Sequence, residues 1–126
     1  MNHEKISFKG HNGLKISASR SGPQNGFPVL LAHGGGQTRH AWTKVLNELA
    51  SAGYLAAAID MRGHGDSDWA SDGAYDMRDF AHDLIAVSSQ LDSPPALVGA
   101  SLGGIAGMIA AGELAPEHFA SLTLVD

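Results

Sequence analysis

Four short apolar runs limit what this chain can fold into more than any other feature of its sequence. Each is three to six residues long, too short for a helix, and Thr123 is the one polar residue among them. Runs of this kind predict strands that are buried on both faces of a sheet. They are residues 29–32, 54–59, 96–98 and 122–125.

Segments with the character of helices separate these runs. Two segments have apolar residues at helical spacing on one face: Trp42, Val45, Leu46 and Leu49 in residues 39–51, and Met77, Phe80, Ala81, Leu84 and Val87 in residues 77–91. Residues 102–113 are rich in Ala, Gly and Ile. Parallel strands need a crossover connection, and a helix is the usual one. The alternation therefore predicts an α/β fold, a mainly parallel sheet with helices on both faces.

A different pattern precedes the first apolar run. Residues 5–9 and 14–20 both alternate between polar and apolar side chains, and Asn12-Gly13 lies between them. Asn-Gly between alternating segments is a strong signal for a tight turn. We therefore expect an N-terminal antiparallel hairpin.

Composition and charge exclude several classes of protein. The 126 residues suffice for one small domain, and their formal net charge of −5 without a basic stripe argues against a nucleic acid partner. There is no cysteine, which excludes disulfides and thiolate metal sites. The polar N-terminus lacks the apolar region of a secretory signal, and no apolar run approaches the roughly 20 residues of a membrane span. We expect a cytoplasmic protein with no membrane span.

The turn after the third apolar run carries the strongest catalytic signal. It reads Gly99-Ala100-Ser101-Leu102-Gly103 and leads from a predicted strand into a predicted helix. Such a turn strains the serine backbone and projects Oγ above the sheet, and the flanking glycines avoid collisions with the neighbouring strand and helix. The first amides of the helix suit a developing negative charge. We interpret Ser101 as a nucleophile; the alternative is a glycine-rich turn with an idle serine.

A second signal follows the first apolar run, at His33-Gly34-Gly35-Gly36. A backbone without side chains can present its amides to a substrate oxygen at close range. The amides of Gly35 and Leu102 would together form an oxyanion hole. Taken alone, the glycines could equally form a flexible loop, but beside the serine turn the functional interpretation is favoured.

The polar loop after the second apolar run raises the hypothesis of a metal site. The candidate ligands are His33, His64, Asp66 and Asp68. Their spacing fits no zinc or calcium pattern, so we predict no metal. Asp60 and Arg62 are instead expected to pair and hold the loop beside the pocket, with His64 in a structural role.

Three stretches of the sequence resemble the α/β-hydrolase superfamily. They read VLLAHGGGQTRHAW, AIDMRGHGDSD and LVGASLGG, and occur in the expected order and spacing. They are most similar to the branch of epoxide-hydrolase-like, esterase-like and carbon–carbon-bond hydrolases. The resemblance implies Ser101 as nucleophile, the amides of Gly35 and Leu102 as oxyanion hole, and no cofactor.

The resemblance also implies a class of substrate. Epoxide hydrolases of this branch carry an aspartate at the nucleophile position, so Ser101 implies attack on an acyl carbon and an acyl-enzyme intermediate. The implied substrates are small and apolar, with an ester, thioester, amide or activated carbon–carbon bond.

The family order of nucleophile, acid and then histidine implies that part of the triad lies outside this chain. The only histidine after Ser101 is His118, which precedes the last predicted strand and is expected at the surface. Asp126 is a candidate acid, although a strand-end cap is the simpler interpretation. Residues 1–126 are therefore expected to be the N-terminal part of a single α/β-hydrolase domain, an incomplete core.

Two expectations follow from an incomplete core. Residues 122–125 would form an exposed apolar sheet edge, through which copies of the chain could self-associate. Besides a hydrolase, the sequence leaves open a non-catalytic ligand-binding module of the same fold or an inactive truncated fragment.

Overall fold

The computed structural model describes residues 3–125, so Asp126, the candidate acid, lies outside the described residues. The strands are β1 (Glu4–Lys9), β2 (Lys15–Ser21), β3 (Pro28–Ala32), β4 (Leu55–Ile59), β5 (Ala96–Ala100) and β6 (Ser121–Val125). The helices are α1 (Thr43–Ser51), α2 (Met77–Ser88) and α3 (Leu102–Gly107), which continues as a π-helical segment, Met108–Leu114. Short 3₁₀ turns cover His11–Gly13, Arg39–Trp42 and Pro116–His118.

The strands form one sheet in the order β1-β2-β4-β3-β5-β6. β3 lies parallel to β4 and β5, and β5 lies parallel to β6. β1 and β2 form an antiparallel hairpin, and β2 joins the sheet antiparallel to β4. The predicted mainly parallel sheet with an N-terminal hairpin is confirmed.

Helices cover both faces of the sheet, as predicted. Successive residues of a strand point to opposite faces, so Leu30 and Leu31 belong to different layers. Leu31 packs with Trp42, the residue just before α1, and with Leu46 of α1. Leu30 packs in the other layer with residues of α2 and α3, among them Leu84. Because helices cover both faces of the sheet, polar side chains and backbone groups can reach solvent at the ends of β3 and β5.

Two residues predicted for buried helix faces lie elsewhere. Val45 and Met77 are 36% and 38% exposed. Val45 lies one residue before the buried Leu46, about 100° around the helix, and Met77 is the first residue of α2. The apolar stripes of both helices are narrower than the sequence pattern suggested.

The outer side of β6 is an exposed apolar edge. No strand among the described residues pairs with that side, and Leu124 and Val125 are 53% and 43% exposed. The predicted exposed edge is confirmed, whereas self-association through it stays a prediction. The prediction that residues 122–125 form a strand buried on both faces is wrong for this chain, because none of them is buried at the open edge of the sheet. Within residues 3–125, no helix combines the length and the apolar character needed to cross a membrane.

Candidate active site

Ser101 occupies the turn between β5 and α3. Its φ of 51° and ψ of −112° are values that residues with side chains rarely adopt, and such a conformation costs on the order of 1–3 kcal/mol. The residue is exposed at the carboxyl edge of the sheet. No residue within 3–125 hydrogen-bonds its hydroxyl, so Oγ faces solvent without a described base.

The glycines on either side of Ser101 are required by close packing. A Cβ atom on Gly99 would lie 2.5 Å from the carbonyl oxygen of Gly103 in α3. A Cβ atom on Gly103 would overlap the carbonyl oxygen of Ala32 at the end of β3. These contacts are with backbone atoms, which cannot swing aside as a flexible side chain can. The turn therefore needs glycine at both positions for steric reasons.

The glycine loop, defined as residues 34–36, lies against this turn. A Cβ atom on Gly34 would lie 3.4 Å from Cβ of Ser101, and one on Gly35 would lie 3.9 Å from Cβ of Leu102. The two segments meet because β3 and β5 are parallel neighbours and end at the same edge of the sheet. The structure thus brings together all three residues predicted for the site.

Hydrogen bonds occupy the outer two amides of the glycine loop. The Gly34 N–H donates to Oε1 of Gln37 at 3.0 Å, and the Gly36 N–H donates to Nε2 of His64 at 3.0 Å. The Gly35 amide has no acceptor among the described residues and is exposed. Of the three amides, it alone is available to a ligand.

At the start of α3, too, one of two neighbouring amides is left without an acceptor. The Gly103 N–H donates to the carbonyl oxygen of His33 at 3.1 Å. Leu102 is the first residue of the helix, where an amide has no acceptor in its own helix, and it finds none elsewhere in residues 3–125. The unpaired amides of Gly35 and Leu102 therefore lie on adjoining segments beside Ser101.

His33 joins these segments and is fully buried. Its Nε2 accepts the Met61 N–H at 2.9 Å, so the ring proton lies on Nδ1, which donates to the Gly34 carbonyl at 2.7 Å. Burial lowers the pKa of His33 below its ordinary value, with a smaller contribution in the same direction from nearby His64. A neutral ring with both nitrogens engaged cannot act as the base for Ser101.

The predicted pairing of Asp60 with Arg62 is wrong. Asp60 instead accepts from Arg39, through its backbone N–H at 2.7 Å and its Nη1 at 2.5 Å. Arg62 donates to Asp83 of α2 through Nε at 2.7 Å and Nη2 at 2.8 Å. Each partner is 21 residues away in sequence, so the spacing of Asp60 and Arg62 could not reveal it. Both pairs nevertheless hold the loop after β4, which was the predicted purpose.

His118 lies at the opposite edge of the sheet from Ser101. Its Nδ1 is 3.4 Å from Oγ of Ser88 at the end of α2, and the nearby Ala120 N–H bonds to Pro95, just before β5. Ser101 follows the other end of β5. His118 therefore lies away from Ser101, and its ring is partly exposed.

Among residues 3–125, no three His, Cys, Asp or Glu side chains lie close enough together to hold a metal ion. The candidate ligands have other partners: Asp66 pairs with Arg39 at 2.9 Å, and Asp68 accepts from the Lys15 amide at 2.9 Å. His33 and His64 each accept a backbone amide.

Two residues that shape the site were not assigned these contacts by sequence reasoning. Gln37 holds the Gly34 amide, and Asp83 holds Arg62. A polar residue three positions after a glycine is a weak signal for a local turn. The helical pattern around Asp83 carries no signal for its partner.

The fold and the site define a class: an α/β protein with a serine at a strained strand-to-helix turn. The sequence model of the α/β hydrolase fold matches residues 28–126, and the chain belongs to this family.

Curated relatives and solved structures agree with that assignment. An esterase of Mycobacterium tuberculosis is 40% identical over 78% of this chain and 32% of its own length. A non-heme chloroperoxidase of Streptomyces lividans is 36% identical over 90% of this chain and 41% of its own length. An epoxide hydrolase from Vigna radiata superposes with a TM-score of 0.89 at 27% identity, over 98% of this chain and 40% of that one. The chain thus spans less than half the length of these relatives.

Proposed function

We propose that this chain carries the nucleophile and the oxyanion hole of a serine hydrolase. The observation that supports the proposal is the pair of unpaired amides, Gly35 and Leu102, on adjoining segments beside the exposed hydroxyl of Ser101. Every other amide in the glycine loop has an acceptor. Two convergent donors next to a nucleophile suit the oxygen that becomes negative when an acyl carbon is attacked.

The proposed reaction proceeds in two steps. Oγ of Ser101 attacks the acyl carbon while a base takes its proton, and the carbonyl oxygen becomes an oxyanion bound by Gly35 and Leu102. The leaving group departs with a proton, which leaves an acyl-enzyme, and water then releases the acid by the reverse sequence. Each oxyanion donor is worth about 3–4 kcal/mol of barrier. No described histidine reaches Ser101, so the proposal assigns the base to residues other than 3–125.

The proposed substrates are small, apolar esters, thioesters, amides or compounds with an activated carbon–carbon bond. A serine in the turn between β5 and α3 favours acyl carbons over epoxides, because its attack on an acyl carbon gives an ester intermediate that water can cleave. Relatives and structural neighbours named as an esterase and as a thioesterase domain support this choice.

Intact mass spectrometry with a fluorophosphonate probe tests the nucleophile. We expect the 13.1 kDa chain to gain one phosphonyl group, faster when imidazole is added as an external base, and Ser101→Ala to gain none. Ser89→Ala, at an exposed serine of α2's end, is the matched control and should be labelled like the parent. If the parent takes up no probe even with imidazole, the proposed nucleophile is wrong for this chain.

One observation favours a second candidate, a ligand-binding module without catalysis. The Ser101 hydroxyl has no hydrogen-bond partner within residues 3–125, so nothing described activates it. In that case a boronic acid would bind no better than its carbon analogue, because it could form no covalent adduct with Ser101. An affinity for apolar carboxylate esters that is unchanged in Ser101→Ala, with no turnover, would favour this candidate over the hydrolase.

A further inference from the structure

We propose that His64 is a positioning residue that holds the glycine loop so that the Gly35 amide points at the oxyanion. The inference rests on the proposed function and deepens it by naming what keeps the oxyanion hole in shape. It is carried by one contact, the 3.0 Å hydrogen bond from the Gly36 N–H to Nε2 of His64, across 28 residues of sequence.

Side-chain packing restrains Gly35 and Gly36 little, so hydrogen bonds must fix their orientation. Gly35 and Gly36 are exposed, and a Cβ atom on Gly36 would meet nothing within 4 Å. Glycine adopts a wide range of backbone angles, and Gly36 uses a φ of 77°. Sterics alone therefore leave the Gly35 peptide free to turn its N–H away from Ser101.

Hydrogen bonds on either side of Gly35 remove that freedom. On one side the Gly34 N–H is held by Gln37, and the Gly34 carbonyl by the ring of His33. On the other side, the described contact of the Gly36 N–H is with His64. The Gln37 N–H also donates to the Gly34 carbonyl at 3.1 Å and closes a turn around Gly35 and Gly36, but that bond does not engage the Gly36 N–H. Loss of the His64 acceptor would therefore leave the Gly36 N–H without its described partner.

The imidazole of His64 is itself firmly mounted. Because Nε2 accepts from Gly36, the ring proton lies on Nδ1, which donates to the Arg62 carbonyl at 2.9 Å. Arg62 is 2% exposed and is held by Asp83, with a further bond from Nη1 to the Ala74 carbonyl at 2.8 Å. The ring of Phe80 lies edge-on to His64, with centroids 6.5 Å apart. The support therefore runs from α2 through Arg62 and His64 to the glycine loop.

The test separates the hydrogen bond from the packing of the ring. His64→Phe keeps an aromatic ring beside Phe80 but removes the acceptor, and His64→Gln keeps an acceptor without the ring. The matched control is His82→Phe, the same change on α2 at a histidine stacked on His11. Amide hydrogen exchange, the ¹⁵N spectrum of Gly35 and Gly36, and the rate of fluorophosphonate labelling are measured in each.

We expect the Gly36 amide to exchange at least about tenfold faster in His64→Phe, which is a loss of about 1.4 kcal/mol of protection. The Gly35 resonance should move, and Ser101 labelling should slow by a similar factor. His64→Gln should restore most of both, and His82→Phe should alter neither. In the parent, a coupling across the hydrogen bond between Gly36 N and His64 Nε2 should be visible.

Two results would overturn the proposal. The first is a Gly36 amide that exchanges equally in His64→Phe and the parent. The second is a freed Gly36 amide with an unmoved Gly35 resonance and an unchanged labelling rate. If the parent itself is not labelled, the proposed function fails, and the Gly35 and Gly36 amides alone decide whether His64 positions the loop.

Discussion

The turn at Ser101 and the glycine loop adjoin and each carry one unpaired amide, yet different forces hold the two segments. In the turn, glycines are required because a Cβ atom on Gly99 or Gly103 would collide with backbone. In the glycine loop, Gly35 and Gly36 have room for a Cβ atom, and hydrogen bonds from side chains hold the backbone. The turn that carries the proposed nucleophile is therefore held by steric contacts, whereas the geometry of the loop beside it depends on side chains from elsewhere in the chain.

The largest expected effect comes from disturbing the close packing of the turn at Ser101. Gly103→Ala places a methyl group on the Ala32 carbonyl oxygen, so β3 and α3 must move apart. We expect the free energy of unfolding to fall by about 3 kcal/mol or more, measured by urea denaturation.

The matched control for that prediction is Gly35→Ala, at a site where the nearest atoms are 3.9 Å away. The free energy of unfolding of Gly35→Ala should lie within about 0.5 kcal/mol of the parent value. Equal losses for the two variants would contradict the distinction between the two regions.

The next effect concerns His33, where the two regions join. Burial lowers the folded-state pKa of His33, so the unfolded chain binds this proton first as the pH falls. The contribution of His33 is fully present above the unfolded value of about 6.5 and is lost as the pH falls below it, by up to about 1.4 kcal/mol per pH unit. Urea denaturation from pH 7.5 to 5 measures it.

His33→Gln should flatten that dependence of stability on pH, whatever it does to stability at pH 7.5. If the slopes of the parent and His33→Gln coincide between pH 6.5 and 5, the ring is not held neutral in the folded protein.

The smallest effect tests the loop's backbone conformation. Gly36→Ala meets no steric contact but must adopt a φ of 77°, which costs about 1 kcal/mol for a residue with a side chain. Gly36→Asn should cost less, because asparagine tolerates this conformation. We expect the urea midpoint of unfolding to be highest for the parent, lower for Gly36→Asn and lowest for Gly36→Ala. A stability gain for Gly36→Ala would show that the loop is not held in this conformation.

Sequence reasoning recovered most of the fold because its signals are local. The four apolar runs became β3, β4, β5 and β6, and the Asn12-Gly13 hairpin formed with a φ of 59° at Asn12. The placement of Ser101 between a strand and a helix was also local information. Errors arose where exposure depends on packing, as at Val45 and Met77.

The sequence by itself determined which residues could form the site: a serine flanked by close-packed glycines, and a run of glycines after β3. Only the tertiary structure decided which amides remain unpaired, because the acceptors for Gly103 and Gly36 come from His33 and His64, far away in the chain. The ion pairs were decided in the same way, with Asp60 and Arg62 each bound to a partner 21 residues away. The contact between Gly99 and Gly103, four residues apart, can be read along the chain. The contact of Gly103 with Ala32 and the acceptors of the paired amides depend instead on the sheet order, which brings distant segments to one edge.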